Sequence, residues 1–274
     1  DALGLGTIAN YNTAIGHVSM ANTTSGEFNT AVGARALEDN TTASNNTAVG
    51  YDALGANTTG IYNTAIGSTA LNANTTGSSN TAIGFEALKL NTAAHNTAIG
   101  TKALEANTTG NYNTAIGRNA LQDNTTGANN TAVGALSLDV NTTGAENTAV
   151  GYASLSSNTT GTQSTAVGLA ALESNTTGQN TALGFYAGRL NTTGDSNTAI
   201  GRYALASNTT ENYNTAVGTL AKQSAGGSNI VAVGYQSQRY ATASNNVSVG
   251  YYALRTATGA DNTAVGKDAL KSNS

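Results

Sequence analysis

Few residues in this 274-residue chain could do chemistry: two histidines, fifteen acidic residues and a series of asparagines in Asn-x-Thr triplets. His17 and His95 stand alone, and the chain contains no cysteine, so the sequence predicts no metal site and no cofactor. A glycosidase needs two carboxylates that face one cleft. The acidic residues here do not recur in one register of the sequence. We therefore predict that this protein is not an enzyme.

The Asn-Thr-Thr triplets match the acceptor sequence for N-linked glycans. A structural interpretation competes with this one, because asparagine is also a common turn residue and can form stacked amide ladders. The sequence favours the structural role for most copies. It leaves glycosylation open, since a turn should project from a corner of the fold. The candidate glycosylation sites are Asn22, Asn40, Asn57, Asn74, Asn107, Asn124, Asn141, Asn158, Asn175, Asn191 and Asn208.

A five-residue phrase, Asn-Thr-Ala-(Ile/Val)-Gly, organises the whole chain. It first occurs at 12–16 and returns, sometimes with substitutions, at steps of 16 or 17 residues, sixteen times in all. A repeat this short cannot bury an apolar face alone, but stacked copies can. The sequence therefore predicts an all-β protein, a parallel β-solenoid of about sixteen coils with 16–17 residues each.

One repeat, residues 46–62, shows how a coil is built. Residues 46–50 alternate in character and favour an extended backbone, and Gly50 permits a bend at the end of the strand. Residues 51–54 are predicted to form a second short strand, and residues 57–60 to form a turn. Stacking places each asparagine over the next one, so that amide ladders should run along the solenoid.

Alternation within the strand places Ala48 on one face and Val49 on the other. In either orientation, some apolar side chains remain on the surface. This predicts lateral association, with three chains around one axis as the favoured arrangement. We assign the branched residues to the core. The predicted core positions are Ile15, Val32, Val49, Ile66, Ile83, Ile99, Ile116, Val133, Val150, Val167, Leu183, Ile200, Val217, Val233, Val249 and Val265.

Composition narrows the class of protein further. Only 9% of the residues are charged and the net charge is −4, so the sequence offers no basic face for nucleic acid. No apolar run has the length of a membrane span. The repeat predicts two tracts, a uniform Asn-Thr-Thr tract at 1–213 and a variant 16-residue tract at 214–274 of the same solenoid. Because both ends fall within a repeat, we expect a segment of a longer protein.

The variant tract carries a resemblance to a known family. Residues 230–235 (Ile-Val-Ala-Val-Gly-Tyr) and 246–251 (Asn-Val-Ser-Val-Gly-Tyr) resemble the head repeats of YadA-like trimeric autotransporter adhesins. The longer Asn-Thr-Thr-Gly units resemble repeat tracts of bacterial and phage tail-fibre-type proteins. This resemblance implies a left-handed β-roll and a homotrimer. The repeat here is longer than the usual adhesin-head repeat.

These observations predict a structural repeat protein that forms the rigid shaft or head of an extracellular fibre, on a cell surface or a virion tail. One alternative is an adhesin or receptor-binding tract that attaches to host glycans or matrix. A second is a self-assembling, glycosylated extracellular filament built end to end. The expected partners are copies of the chain itself and surface glycans. Aromatic residues that recur beside the strands are predicted to pack between coils, with a carbohydrate-stacking track as the alternative.

Overall fold

The computed structural model describes residues 10–272. The chain divides into two compact units, Asp1–Thr143 and Gly144–Ser274. Each unit is a parallel β-solenoid whose strands follow one another in chain order, so the all-β solenoid prediction is confirmed. The described residues include no helix, and so none that is long and apolar enough to cross a membrane.

The described part of each unit contains eight strands of three residues. The strands of the first unit are β1 Thr13–Ile15, β2 Thr30–Val32, β3 Thr47–Val49, β4 Thr64–Ile66, β5 Thr81–Ile83, β6 Thr97–Ile99, β7 Thr114–Ile116 and β8 Thr131–Val133. The strands of the second unit are β9 Thr148–Val150, β10 Thr165–Val167, β11 Thr181–Leu183, β12 Thr198–Ile200, β13 Thr215–Val217, β14 Val231–Val233, β15 Val247–Val249 and β16 Thr263–Val265.

Within a unit, equivalent residues of successive strands pair directly. In the pair formed by β3 and β4, Thr47 lies opposite Thr64 and Val49 opposite Ile66. Hydrogen bonds run to both neighbouring coils, because Thr47 N donates to Asn63 O at 2.9 Å and Gly50 N donates to Val32 O at 2.8 Å. The strict repeat in the sequence thus becomes a strict register in space.

Glycine closes every strand for a steric reason. Gly50 has a φ of +137°, and a Cβ atom there would lie 2.6 Å from the carbonyl oxygen of Gly67 in the next coil. A side chain would therefore meet strained backbone and a collision with the neighbouring main chain. The same arrangement recurs along both units, which explains why this glycine is constant in the repeat.

The segment after this glycine is not the second strand that the sequence predicts. Asp52 and Leu54 have φ values of 55° and 54°, in the left-handed region, and residues 51–56 form a turn. The segment still joins coils, since Asp52 N donates to Ala34 O and Leu54 N to Ala70 O, both at 2.9 Å. Placing ordinary side chains in this region costs about 1–2 kcal/mol per residue. Burial of the leucine, which contributes about 1.5–3 kcal/mol, offsets that cost.

The inward residue of each strand is the middle one. Ala48 and Ala65 are fully buried, together with Ala53 and Leu54 of the following turn. In the last described coils Ala253, Leu254, Ala257 and Ala264 form one buried cluster of the same composition. The interior of a coil therefore accommodates alanine on the strand side and leucine on the turn side.

This arrangement makes the predicted core assignment wrong. The branched residue that ends each strand points away from the interior, because side chains alternate along a strand and the narrow interior takes the alanine. None of these residues is buried, and Ile66 is 39% exposed. The residues corrected from core to surface are Ile15, Val32, Val49, Ile66, Ile83, Ile99, Ile116, Val133, Val150, Val167, Leu183, Ile200, Val217, Val233, Val249 and Val265.

Candidate functional site

The turn asparagines, which the sequence offers as glycan acceptors, lie almost entirely inside the fold. Only Asn22 is exposed, where its amide donates to Asp39 Oδ1 at 3.0 Å. The other ten side chains are buried and bonded to neighbours, so the folded chain has no room for a glycan on them. These ten positions, corrected from candidate acceptors to structural residues, are Asn40, Asn57, Asn74, Asn107, Asn124, Asn141, Asn158, Asn175, Asn191 and Asn208.

The turn asparagines form the first of two amide ladders, confirming that part of the prediction. Asn124 Nδ2 donates to Asn107 Oδ1 of the preceding coil at 2.7 Å. The same nitrogen donates to Gly127 O within its own turn at 3.0 Å. Each amide therefore joins two coils and also closes its own corner. An unpaired buried amide would cost about 1–3 kcal/mol, so these bonds fix the position of each coil.

The asparagines that precede the strands form the second ladder. Asn46 Oδ1 accepts a hydrogen bond from the backbone N–H of Asn63 at 2.9 Å, and Asn46 Nδ2 donates to Gly60 O at 2.9 Å. Gly60 O also accepts from Asn57 Nδ2 at 3.0 Å. The two ladders thus converge on one carbonyl group in each coil. The amides of Asn46 and Asn57 are thus used in bonds within the fold, and their burial keeps them from a ligand.

Substitutions in the second ladder show what the position requires. Ser164 replaces an asparagine, and its hydroxyl donates to Gly178 O at 2.8 Å and accepts from Asn180 N at 3.3 Å. The shorter side chain therefore reproduces both bonds. Ile230 occupies the same position without either group, and it is fully buried.

The histidines and acidic residues do not gather into a site. His95 stacks on Tyr112, with ring centroids 4.9 Å apart, and His17 is exposed. The described residues hold no group of three or more His, Cys, Asp or Glu that could bind a metal ion. Glu86 accepts hydrogen bonds from Lys89 at 2.7 Å and Lys102 at 3.2 Å. The bond from Lys89 is the main cause that lowers the pKa of Glu86 and keeps it ionised.

Exposed aromatic rings pack on one another between coils. Tyr11 and Phe28 are stacked with centroids 5.0 Å apart and planes within 1° of parallel. Tyr235 and Tyr251 stack at 5.3 Å. Because the ring faces are turned toward each other, they are covered where a sugar would have to stack. The structure favours the packing role for these rings.

One feature that the sequence analysis missed is an interruption of the buried leucine column in the second unit. Gly188, Lys222 and Gln238 stand where other coils have leucine. At Gly188 the missing side chain leaves a gap of about 10 Å³ lined by Leu172 and Leu205, room for at most one water molecule. Counting four residues from each strand-closing glycine would have revealed these exceptions.

Lys222 brings a titratable group into this interior. Its side chain is fully buried, and Nζ donates to Ser224 O at 2.8 Å. Burial lowers the pKa of Lys222 from 10.5 to about 8, against the opposing effect of the Glu211 charge. Burial alone would raise the pKa of Glu211, but backbone N–H groups, including those of Thr209 and Gly226, donate to its carboxylate and lower that pKa.

Gln238 continues this polar layer in the next coil. Its Nε2 donates to Ser248 Oγ at 3.0 Å and to Val231 O at 3.2 Å. Ser237 and Ser248 also share a hydrogen bond. The layer is internal, so it affects stability and cooperativity of the second unit and presents no group to a substrate.

Replacing Asn113 tests the contribution of the second ladder. Asn113→Ala removes the acceptor of Asn130 N and the donor to Gly127 O, and we expect a loss of about 3 kcal/mol in the free energy of unfolding. Asn113→Ser, which copies Ser164, should lose only about 1 kcal/mol. Urea unfolding followed by circular dichroism measures both. A negligible loss for Asn113→Ala would show that the amide bonds do not stabilise the fold, and equally large losses for both variants would show that a serine hydroxyl does not replace them.

Lys222 predicts a pH dependence of stability. Its folded pKa lies below the unfolded value, so the unfolded chain binds more protons between about pH 8 and pH 10.5, and stability rises with pH over that window. The cost below pH 8 is about 3 kcal/mol. Lys222→Met should recover this amount at pH 7 and remove that part of the pH dependence, whereas Lys267→Met, at an exposed position, should do neither. Identical pH profiles for wild type and Lys222→Met in urea unfolding would contradict the assignment.

Comparisons with known proteins add no family to this description. Neither the protein-family scan, nor the search of curated proteins, nor the search of solved structures gave a match to this chain.

Proposed function

We propose that this chain is a structural repeat protein that forms the rigid shaft or head of an extracellular fibre, with three copies associated side by side. The observation that carries the proposal is the repetition of one hydrogen-bond pattern from coil to coil within each unit. Within each unit, backbone bonds join successive described coils and asparagine bonds reinforce most of these junctions, as between residues 46–50 and 63–67. A solenoid in which each coil is hydrogen-bonded to the next resists deformation along its axis.

The outer face of the strands supports association between copies. Ile66, Ile99 and Ile116 are each more than a third exposed and lie in one column, because the strands pair in register. Aromatic residues that follow the strand-closing glycine, such as Tyr51 and Phe85, stand beside this column and are about half exposed. Contiguous apolar surface of this kind is typical of a protein–protein interface.

A second copy of the same chain is the partner that fits this face. Every coil presents the same residue types at the same axial spacing, so another copy can match many contacts at once in a symmetric assembly. The resemblance to trimeric adhesin heads is the reason for proposing three chains and a left-handed winding. Placement on a cell surface or a virion tail belongs to the same proposal.

Charge on the outer strand face should abolish the association. We expect wild-type protein to show about three times the 27.3 kDa chain mass in native mass spectrometry. The triple variant Ile66→Lys, Ile99→Lys and Ile116→Lys should show the single-chain mass, because like charges would face each other across the interface.

The matched control for that experiment places the same three charges on a different surface. Thr59→Lys, Thr76→Lys and Thr109→Lys alter exposed turn residues of the same unit and should leave the threefold mass unchanged. Circular dichroism would establish that all variants stay folded. A single-chain mass for the wild-type protein would overturn the proposed assembly.

A further inference from the structure

The residue five positions after each strand-closing glycine forms a column along the turn side, which we call the corner column. In the first unit the charged members of this column are Glu38, Lys89, Glu105 and Asp139, and in the second unit they are Glu173, Arg189, Arg239, Arg255 and Lys271. The units differ in overall charge in the same direction. Residues 1–143 include four basic and nine acidic residues, whereas residues 144–274 include seven basic and six acidic ones.

Arg239 and Arg255 lie one above the other on neighbouring coils. The layering is fixed by the backbone, because Tyr240 N donates to Arg255 O at 2.8 Å. Tyrosine rings are interleaved with the cations. The Arg239 guanidinium carbon lies 4.8 Å from the Tyr240 ring centroid, and that of Arg255 lies 5.5 Å from the same ring and 4.6 Å from the Tyr252 ring. These cation–π contacts position the two partly exposed guanidinium groups against the tyrosine rings.

These two arginines differ from other cations of the column in having no acidic partner among residues 10–272. Lys89 is paired with Glu86 at 2.7 Å, and Arg189 with Glu173 at 2.6 Å. Arg239 Nε donates instead to Gln223 Oε1 at 2.8 Å. Arg255 Nε is shielded from solvent and has no hydrogen-bond partner in the described part of the chain. Two like charges that lie one above the other without a carboxylate repel each other, and a bound anion would reduce this repulsion.

The surface around them is accessible. Tyr240 is 47% exposed, and Tyr235 and Tyr251, whose rings pack near the Tyr252 ring, are exposed as well. Lys271 lies next in the column, with Nζ 4.9 Å from the Tyr252 ring, but it is paired with Asp268 at 3.1 Å. Successive cations are separated by the coil spacing of about 4.8 Å, which is close to the length of one sugar unit in a polymer.

We propose that the corner column around Arg239 and Arg255 binds a linear acidic polysaccharide that lies along the stack of coils. Guanidinium groups bind carboxylate and sulfate groups through paired hydrogen bonds, and the tyrosine hydroxyls offer partners for sugar hydroxyls. Nucleic acid fits less well. Its affinity depends on about 6–10 phosphate contacts, more than this short column provides, and the tyrosine faces needed for base stacking are covered by guanidinium groups. This inference does not depend on the proposed fibre assembly.

The test compares binding of the full chain to immobilised polymers by biolayer interferometry. The probes are heparin, which carries sulfates, hyaluronan, which carries carboxylates only, neutral dextran, and double-stranded DNA. We expect binding to heparin, hyaluronan or both that weakens with added salt, and none to dextran. Heparin alone would identify sulfate as the recognised group, whereas hyaluronan binding would show that a carboxylate suffices.

Two double variants locate the site. Arg239→Gln with Arg255→Gln should weaken binding at least about tenfold, since each pair of charge-assisted bonds is lost. Lys89→Gln with Lys102→Gln removes the same charge from the first unit, where both lysines are paired with carboxylates, and should leave binding unchanged.

Conservative replacement separates geometry from charge. Arg239→Lys with Arg255→Lys keeps the charge but loses the planar guanidinium, and it should bind with intermediate affinity. The proposal is overturned by absence of binding to both acidic polysaccharides, or by equal effects of the two Gln double variants. It is also overturned if DNA binds as tightly as the polysaccharides and depends on the same arginines.

Discussion

The buried side-chain amide of asparagine is the constraint on which this structure depends. The interior of a coil is narrow. Two of the residues that fill it are asparagines, whose side-chain amides need hydrogen-bond partners in the absence of water. Asn107 and Asn124 satisfy each other between coils, and Asn46 satisfies the backbone of Asn63. The bond between Asn107 and Asn124 requires an asparagine at the equivalent height in the next coil, and the bond from Asn63 requires a backbone N–H at that height. The strict spacing of the sequence is therefore a consequence of hydrogen-bond satisfaction as much as of apolar burial.

With the interior occupied mainly by alanine, leucine and asparagine, most of the variation lies in the outer columns. Changes inside are few and have local consequences, such as the gap at Gly188 and the buried charge at Lys222. On the outside, the corner column is mostly acidic in the first unit and mostly basic in the second, while most strands keep the Thr-Ala-(Ile/Val) pattern. We infer that the repeat supplies mechanical continuity, and that specific interactions are assigned to surface columns that can vary independently.

Much of the fold follows from the sequence because the repeat period fixes the register. Stacked parallel strands, a glycine at the end of each strand and the amide ladders are all consequences of placing like residues over like. Alternation does not reveal which face of a three-residue strand is buried, however, and so Val49 is outside where a core position is predicted. The size of the interior, which only the closed coil defines, decides in favour of Ala48.

Two further differences arise from tertiary context. Leucine at 54 prefers a right-handed or extended backbone, but its burial and its hydrogen bond to Ala70 hold it in the left-handed region. The turn asparagines match a glycan acceptor sequence. Their burial becomes evident only in the folded coil, where they form the first amide ladder. Arg239 and Arg255 are visible in the sequence, but their lack of an acidic partner among the described residues is a property of the folded surface.

Hydrogen exchange of side-chain amides tests the central role of the asparagine ladders most directly. Nuclear magnetic resonance of protein labelled with ¹⁵N at asparagine can follow the Nδ2 protons of individual residues. The amides of Asn107 and Asn124 should exchange as slowly as the backbone amides of the neighbouring strands, while the exposed amide of Asn22 should exchange rapidly. Rapid exchange at Asn107 and Asn124 with protected strand amides would show that the coils are held together without the side-chain ladders, and it would contradict this account.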